Sequence, residues 1–166
     1  MVNIIFNASL ICYLLSGLGY TLYLVFRNSM VKQFSVYLLG LGLFSHTVTI
    51  SLRSIDTGHG PYTTGFEIAS FLAWVIVVIY FFIEFKYKIK DLGAFVIPVV
   101  FLILLFSAFQ SREFSLIDES STMFWLTMHR TLSIIGYAAF AIAFGAAVML
   151  SLIHISEPTI RPPIPY

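Results

Sequence analysis

No residue between Arg130 and Leu150 is charged at neutral pH. That run, TLSIIGYAAFAIAFGAAVML, matches the roughly 20 apolar residues a helix needs to cross a bilayer. Within hydrocarbon the backbone must satisfy its own hydrogen bonds, so the segment reads as a membrane helix over 125–150. Its mouth is polar, because Trp125, His129 and Arg130 stand just ahead of the apolar run. Ionisable groups at such depth are expensive, ~2.5–3.5 kcal/mol for Arg on insertion scales, and they usually face protein, a cavity or a cofactor rather than lipid.

The rest of the chain has the same character. Hydrophobic residues make up 59% of its 166 positions and charged residues 10%, against about 25% charged in soluble domains. The start, MVNIIFNASLICYLL, lacks a basic region and a small-residue cleavage site, so it reads as a first spanning helix and not as a removed signal. Four further spans are predicted upstream: Ile4–Phe26, Phe34–Leu52, Ile68–Phe85 and Leu92–Phe109, the last with Pro98 inside it and a kink expected there. The expected fold is an all-α polytopic membrane protein of about five transmembrane helices. A formal net charge of +1 argues against a nucleic-acid partner, which needs clustered basic residues on one face. Cys12 is the sole cysteine, which excludes a disulfide or a CxxC pair within this chain and leaves it a helix-packing role.

Basic residues set the orientation. Arg27, Lys32, Lys86, Lys88 and Lys90 follow the first and third spans, whereas Arg53, Arg112 and Arg130 lie at the other side. The bias places the N-terminus outside, and with it the 53–67 and 110–122 segments. His129 then sits about 6 Å below the outer start of its helix and His46 about 9 Å deep from the same side, at 1.5 Å per residue. Imidazole is a common axial ligand of haem iron, and two on facing helices could hold one porphyrin. The plainer alternative for each is a histidine hydrogen-bonded inside the bundle. Arg130 offers a cation to a haem propionate or another anion, or else snorkels to the interface.

His59 belongs to an outer loop punctuated by Gly58, Gly60 and Pro61, where a solvated imidazole is the default and ligation the alternative. Thr64 and Glu67 have the spacing of a capping box at the start of the third span. Trp74 and Trp125 are expected as interface anchors. Ala139, Ala143 and Ala147, with Gly136, form a small-residue stripe suited to close helix packing. An ion or solute transporter with His46 and Glu84 as an intramembrane relay is a competing reading, weakened by Glu84 standing beside KYKIK, where it is expected to face water.

Three stretches, SLRSIDTGHGPYTTGFEIASFLAW, KYKIKDLGAFVIPVVF and FWLTMHRTLSIIGYAAFAIAFGAAVML, in this order resemble the N-terminal half of a cytochrome c assembly protein of the CcsA (ResC) type. The resemblance covers about 45–150. It rests on Trp125 and His129 ahead of Leu132, Gly136, Tyr137, Ala138, Ala139 and Phe140, and on Arg53, Thr57, Gly58, Pro61 and Glu67, with Thr64 where an Asn is usual. It implies a multi-pass protein of the bacterial inner (cytoplasmic) membrane. With a membrane partner subunit of the ResB/CcsB type, such a protein presents haem b, its substrate, at the outer face for covalent attachment to apocytochrome c. On this resemblance His129 matches the first external haem-ligating His, and His46 a membrane-embedded His of some bacterial members. Any catalysis would belong to the larger haem lyase complex, and this chain alone is expected to be inactive. A HemX-like membrane protein of haem metabolism, without ligation activity, is the alternative.

The family's Trp-rich external segment and its later histidines are not in this chain. The expected division is 1–150 as the N-terminal part of the assembly domain and 151–166, with Pro158, Pro162, Pro163 and Pro165, as a non-native tail that breaks the helical pattern.

Overall fold

A computed structural model describes residues 2–89, 91–112 and 124–156, and these form five helices: α1 (Val2–Phe26), α2 (Ser29–Thr57), α3 (Gly65–Tyr87), α4 (Gly93–Ala108) and α5 (Phe124–Ser156). Four of them are long and apolar enough to cross a membrane. α4 is apolar but has only 16 residues, about 24 Å of helix. The protein is an all-helical, multi-pass membrane protein, as its sequence predicts.

Helices α1 to α4 close a ring in chain order: α1 packs on α2 and α4, and α3 on α2 and α4. α5 lies outside the ring against α3 and α4, and nowhere among the described residues does the backbone of α5 meet that of α2. Aromatic pairs cross the ring between α1 and α3, Phe6 with Phe66 at 5.2 Å between centroids and Tyr20 with Tyr80 at 5.9 Å.

Since every helix is apolar on most sides, the buried face is marked by small and hydroxylic residues. The buried seam of α1 runs Phe6, Ser9, Tyr13, Ser16, Tyr20 and Tyr23 and that of α2 Ser35, Leu39, Gly42, His46 and Thr49, with only Phe6, Leu39 and His46 neither small nor hydroxylic. Their alternating steps of three and four are the spacing of a left-handed helix seam, and small residues let membrane helices approach closely. Gly19 is one such point: a Cβ there would collide with Ser35 Oγ. Cys12 packs in the same seam, its Cβ beside Gly42. Large residues such as Ile4, Phe44 and Phe140 point outward, where lipid replaces water as the solvent.

Polar chemistry closes the ends. Asn28 caps α2 by accepting the Met30 N–H at 2.9 Å. Gly58 ends α2 in the left-handed region at φ 72°, its N–H on Ser54 O. Arg27 bonds Asp91 at 2.6 Å, which places the α1–α2 turn and the α3–α4 connection at one end of the bundle. The Asp91 carboxylate holds that guanidinium above its ordinary pKa.

Several expectations need correction. α2 runs to Thr57 and not Leu52, so Arg53 lies within a helix; nothing before Gly58 breaks it, and Arg53 finds a buried partner. One expectation among these holds: α4 carries Pro98 inside it, and the Pro98 backbone lies against Gly17 of α1. α5 stays helical to Ser156, six residues past Leu150, and the prolines of 157–166 fall outside the described residues. The Ala139, Ala143 and Ala147 stripe faces outward; α5 instead packs through Ile134, Ala138 and Ile142, with Gly145 against Val96 of α4. Trp74 stacks on Phe71 and donates to Thr47 Oγ1 at 2.9 Å, tying α3 to α2.

Candidate functional site

The end of the bundle opposite Arg27 is organised by Glu67, whose side chain is 2% exposed. Thr64 is the N-cap of α3 and the expected capping box forms: Thr64 Oγ1 accepts the Glu67 N–H at 3.2 Å, and Glu67 Oε2 accepts the Thr64 N–H at 3.3 Å and that of Thr63 at 3.1 Å. Its other oxygen takes Arg53 Nε at 2.8 Å. One carboxylate thus starts α3, holds the preceding loop and neutralises a cation from α2. Arg53 also donates both terminal nitrogens to Arg112 O at 3.3 Å and lies over the Phe66 ring. Arg112 sits over Phe6 and Phe66 and bonds Asn3 at 2.6 Å. Beneath this network is a cavity of about 10 Å³ lined by Thr49, Arg53, Pro61, Glu67 and Ser70 among others, too small for more than one water. The network is scaffold, with no room for a ligand.

What it holds is the loop of His59. That imidazole is not solvated: its side chain is 6% exposed, with Nδ1 2.8 Å from Gly60 O, 3.1 Å from Thr63 Oγ1 and 3.9 Å from Glu67 Oε2. Gly60 leaves room for the Tyr62 ring, which folds back to where a Cβ on residue 60 would lie. Tyr62 is thereby laid against the mouth of α5, where Thr127 Oγ1 donates to its hydroxyl at 3.5 Å and the Arg130 guanidinium stands 6.0 Å from its ring centre.

At that mouth His129 is exposed, Trp125 is 80% exposed and Arg130 is half-buried. Nη1 of Arg130 is buried and has no hydrogen-bond partner among the described residues. The expected external group of Trp125, His129 and Arg130 therefore gathers on one helix end beside the His59 loop. His46 is elsewhere. It is 0% exposed in the ring of helices, Nδ1 3.3 Å from Tyr13 Oη and Nε2 2.9 Å from Ser70 Oγ, and its helix is not a neighbour of α5. His46 and His129 are not brought together. Among the described residues, no group of three or more His, Cys, Asp or Glu side chains converges as a metal site.

The family model for cytochrome C assembly protein matches residues 62–160, from Tyr62 through the whole of α5. The chain belongs to that family. It is 28% identical over 122 residues to the cytochrome c biogenesis protein CcsA of Chlorella vulgaris, covering 71% of this chain and 38% of that protein. It is 29% identical over 153 residues to the protein of that name from Prochlorococcus marinus (strain MIT 9301), covering 87% and 47%, and 27% identical over 159 residues to that of Trieres chinensis, covering 92% and 47%. The chain spans about half the length, or less, of these relatives. No solved structure matches the chain.

Two features escaped the sequence reading. Tyr62 as the contact to α5 left no periodic signal; only Gly60 next to a bulky residue hinted at a folded-back ring. The other is Glu84, which does not face water. It is 8% exposed, paired with Lys32 Nζ at 2.9 Å and accepting the Tyr20 hydroxyl at 2.7 Å. Lys32 lies in the first turn of α2, and it reaches inward because Glu84 ends α3 directly opposite. The recurrence of Tyr13, Ser16 and Tyr20 at seam spacing was the readable signal of a polar interior.

Proposed function

We propose that this chain handles haem at the outer membrane face for attachment to apocytochrome c, acting with a membrane partner subunit in the bacterial inner membrane. The observation that carries the reading is the position of His129, exposed at the mouth of α5 within the segment that matches the family. An exposed imidazole is free to ligate iron, and we assign His129 as an axial ligand. For His46 or His59 to reach iron, each has first to give up hydrogen bonds that now hold it. Haem supplies the reactivity: a cysteine S–H adds across a vinyl C=C, with sulfur on one carbon and hydrogen on the other. The protein supplies ligation and orientation. The basic residues at the Arg27 end support an outward-facing His129.

The test is an absorption spectrum of the detergent-purified chain supplied with haem, beside His129→Ala and His46→Ala. Loss of the reduced haem spectrum in His129→Ala is expected, with His46→Ala keeping it. Loss confined to His46→Ala would move the site into the ring of helices, and identical spectra from all three proteins would remove both ligands.

A further inference from the structure

We propose that Arg130, with the Tyr62 and Thr127 hydroxyls beside it, forms a carboxylate-binding subsite that takes a porphyrin propionate; this rests on the haem-handling reading of the same helix mouth. The guanidinium is the group that the fold leaves incomplete. Arg53 and Arg112, the other arginines at this end, bond Glu67 and Asn3 respectively. Arg130 has only the face of Tyr62 at 6.0 Å, while its Nη1 is buried with no hydrogen-bond partner among the described residues. A buried donor of a charged group left unpaired is costly, and a carboxylate is its natural complement, because the planar fork matches two oxygens. The 3.5 Å Thr127–Tyr62 contact is long for a hydroxyl pair, so either group can turn to a third oxygen.

The setting selects the kind of carboxylate. The ring of Tyr62 offers an aromatic face beside the guanidinium, and the exposed His129 precedes Arg130 in the chain. A flat apolar ligand with a carboxylate on a short flexible arm suits this combination. An acidic peptide side chain shares the carboxylate but has no flat apolar body. The loop network adjoins the subsite: Glu67 bonds the Thr63 and Thr64 N–H groups next to Tyr62, and the Arg130 guanidinium stands over the Tyr62 ring.

Metal-free protoporphyrin IX separates this subsite from iron ligation. Its binding to the full chain in detergent, followed by its fluorescence, is compared with that of its dimethyl ester for wild type, Arg130→Gln, Arg130→Lys and His129→Ala. Wild type and His129→Ala are expected to prefer the free acid. Arg130→Gln is expected to lose about ten-fold or more in free-acid affinity with ester binding unchanged, and Arg130→Lys to recover part of the loss. Equal affinity for acid and ester in wild type, or parallel loss of both in Arg130→Gln, overturns the subsite. A propionate preference that survives His129→Ala, alongside haem binding indifferent to that substitution, would sink the His129 ligand and keep the subsite. An acidic peptide that binds wild type and loses affinity in Arg130→Gln, while porphyrin acid and ester bind wild type equally, would mark the peptide as the carboxylate source and overturn the porphyrin assignment.

Discussion

Helix α3 buries a carboxylate near each end, Glu67 at its start and Glu84 at its finish, and α2 supplies the cation for both, Arg53 and Lys32. The two ends differ in what else the carboxylate does. Glu67 also binds backbone N–H groups of the loop before α3, so the ion pair shapes a surface that reaches α5. Glu84 takes a tyrosine hydroxyl, so its pair clamps helices and shapes no loop. Between the ends, α2 and α3 share less packed surface than the other neighbours in the ring. Yet His46 bonds Ser70 and Thr47 bonds Trp74 across this seam. In lipid, apolar contact gives little reason for two helices to associate, and interhelical hydrogen bonds take over. The sparsest seam is the one with the most polar bridges.

Breaking the outer pair should have the largest effect. Glu67→Ala takes the carboxylate from Arg53 and removes the Glu67 half of the capping box, leaving the Thr64 cap, a loss of about 3–5 kcal/mol to be read from SDS-induced unfolding in mixed micelles. Equal stability of the variant would mean that the remaining partners of Arg53, Arg112 O and the Phe66 ring among them, suffice. At the inner end the effect should be smaller, since the Lys32 side chain is 19% exposed and water reaches it. Lys32→Ala is expected to cost about 1–3 kcal/mol by the same titration, and a cost matching that of Glu67→Ala would erase the contrast between the two ends. The same cluster contains a hydroxyl, Tyr80 Oη, that is buried near Tyr20 and Glu84 with no well-formed hydrogen bond among the described residues. Tyr80→Phe should therefore be neutral or stabilise by about 1 kcal/mol; marked destabilisation would show that the hydroxyl is engaged. The smallest effect concerns how the helices stop. α2 ends on Gly58 at φ 72°, but α3 ends on Lys88 at φ 55°, where a side chain is strained. Lys88→Gly should raise stability by at most about 1 kcal/mol, seen as a higher thermal midpoint.

The sequence by itself determined the class of fold. Apolar runs of bilayer length, separated by short charged segments, admit only a bundle of membrane helices, because a backbone in hydrocarbon has to bond to itself. It also determined local features whose partners lie within a few residues: the Thr64–Glu67 cap and the polar mouth of α5. Tertiary structure alone decided which polar groups meet. Arg53 and Glu67 stand 14 residues apart, Lys32 and Glu84 more than 50, and no local pattern distinguishes a carboxylate that faces water from one that faces a lysine on another helix. Helix faces were misjudged for the same reason: α5 is apolar all round, so nothing in its composition tells the packed side, Ile134, Ala138 and Ile142, from the outward stripe of Ala139, Ala143 and Ala147. In a membrane both sides meet apolar surroundings, and hydrophobicity, which sorts inside from outside in water, sorts nothing there. Packing and hydrogen bonds between distant residues made the choice, placing Tyr62 against Arg130 and keeping His46 away from His129.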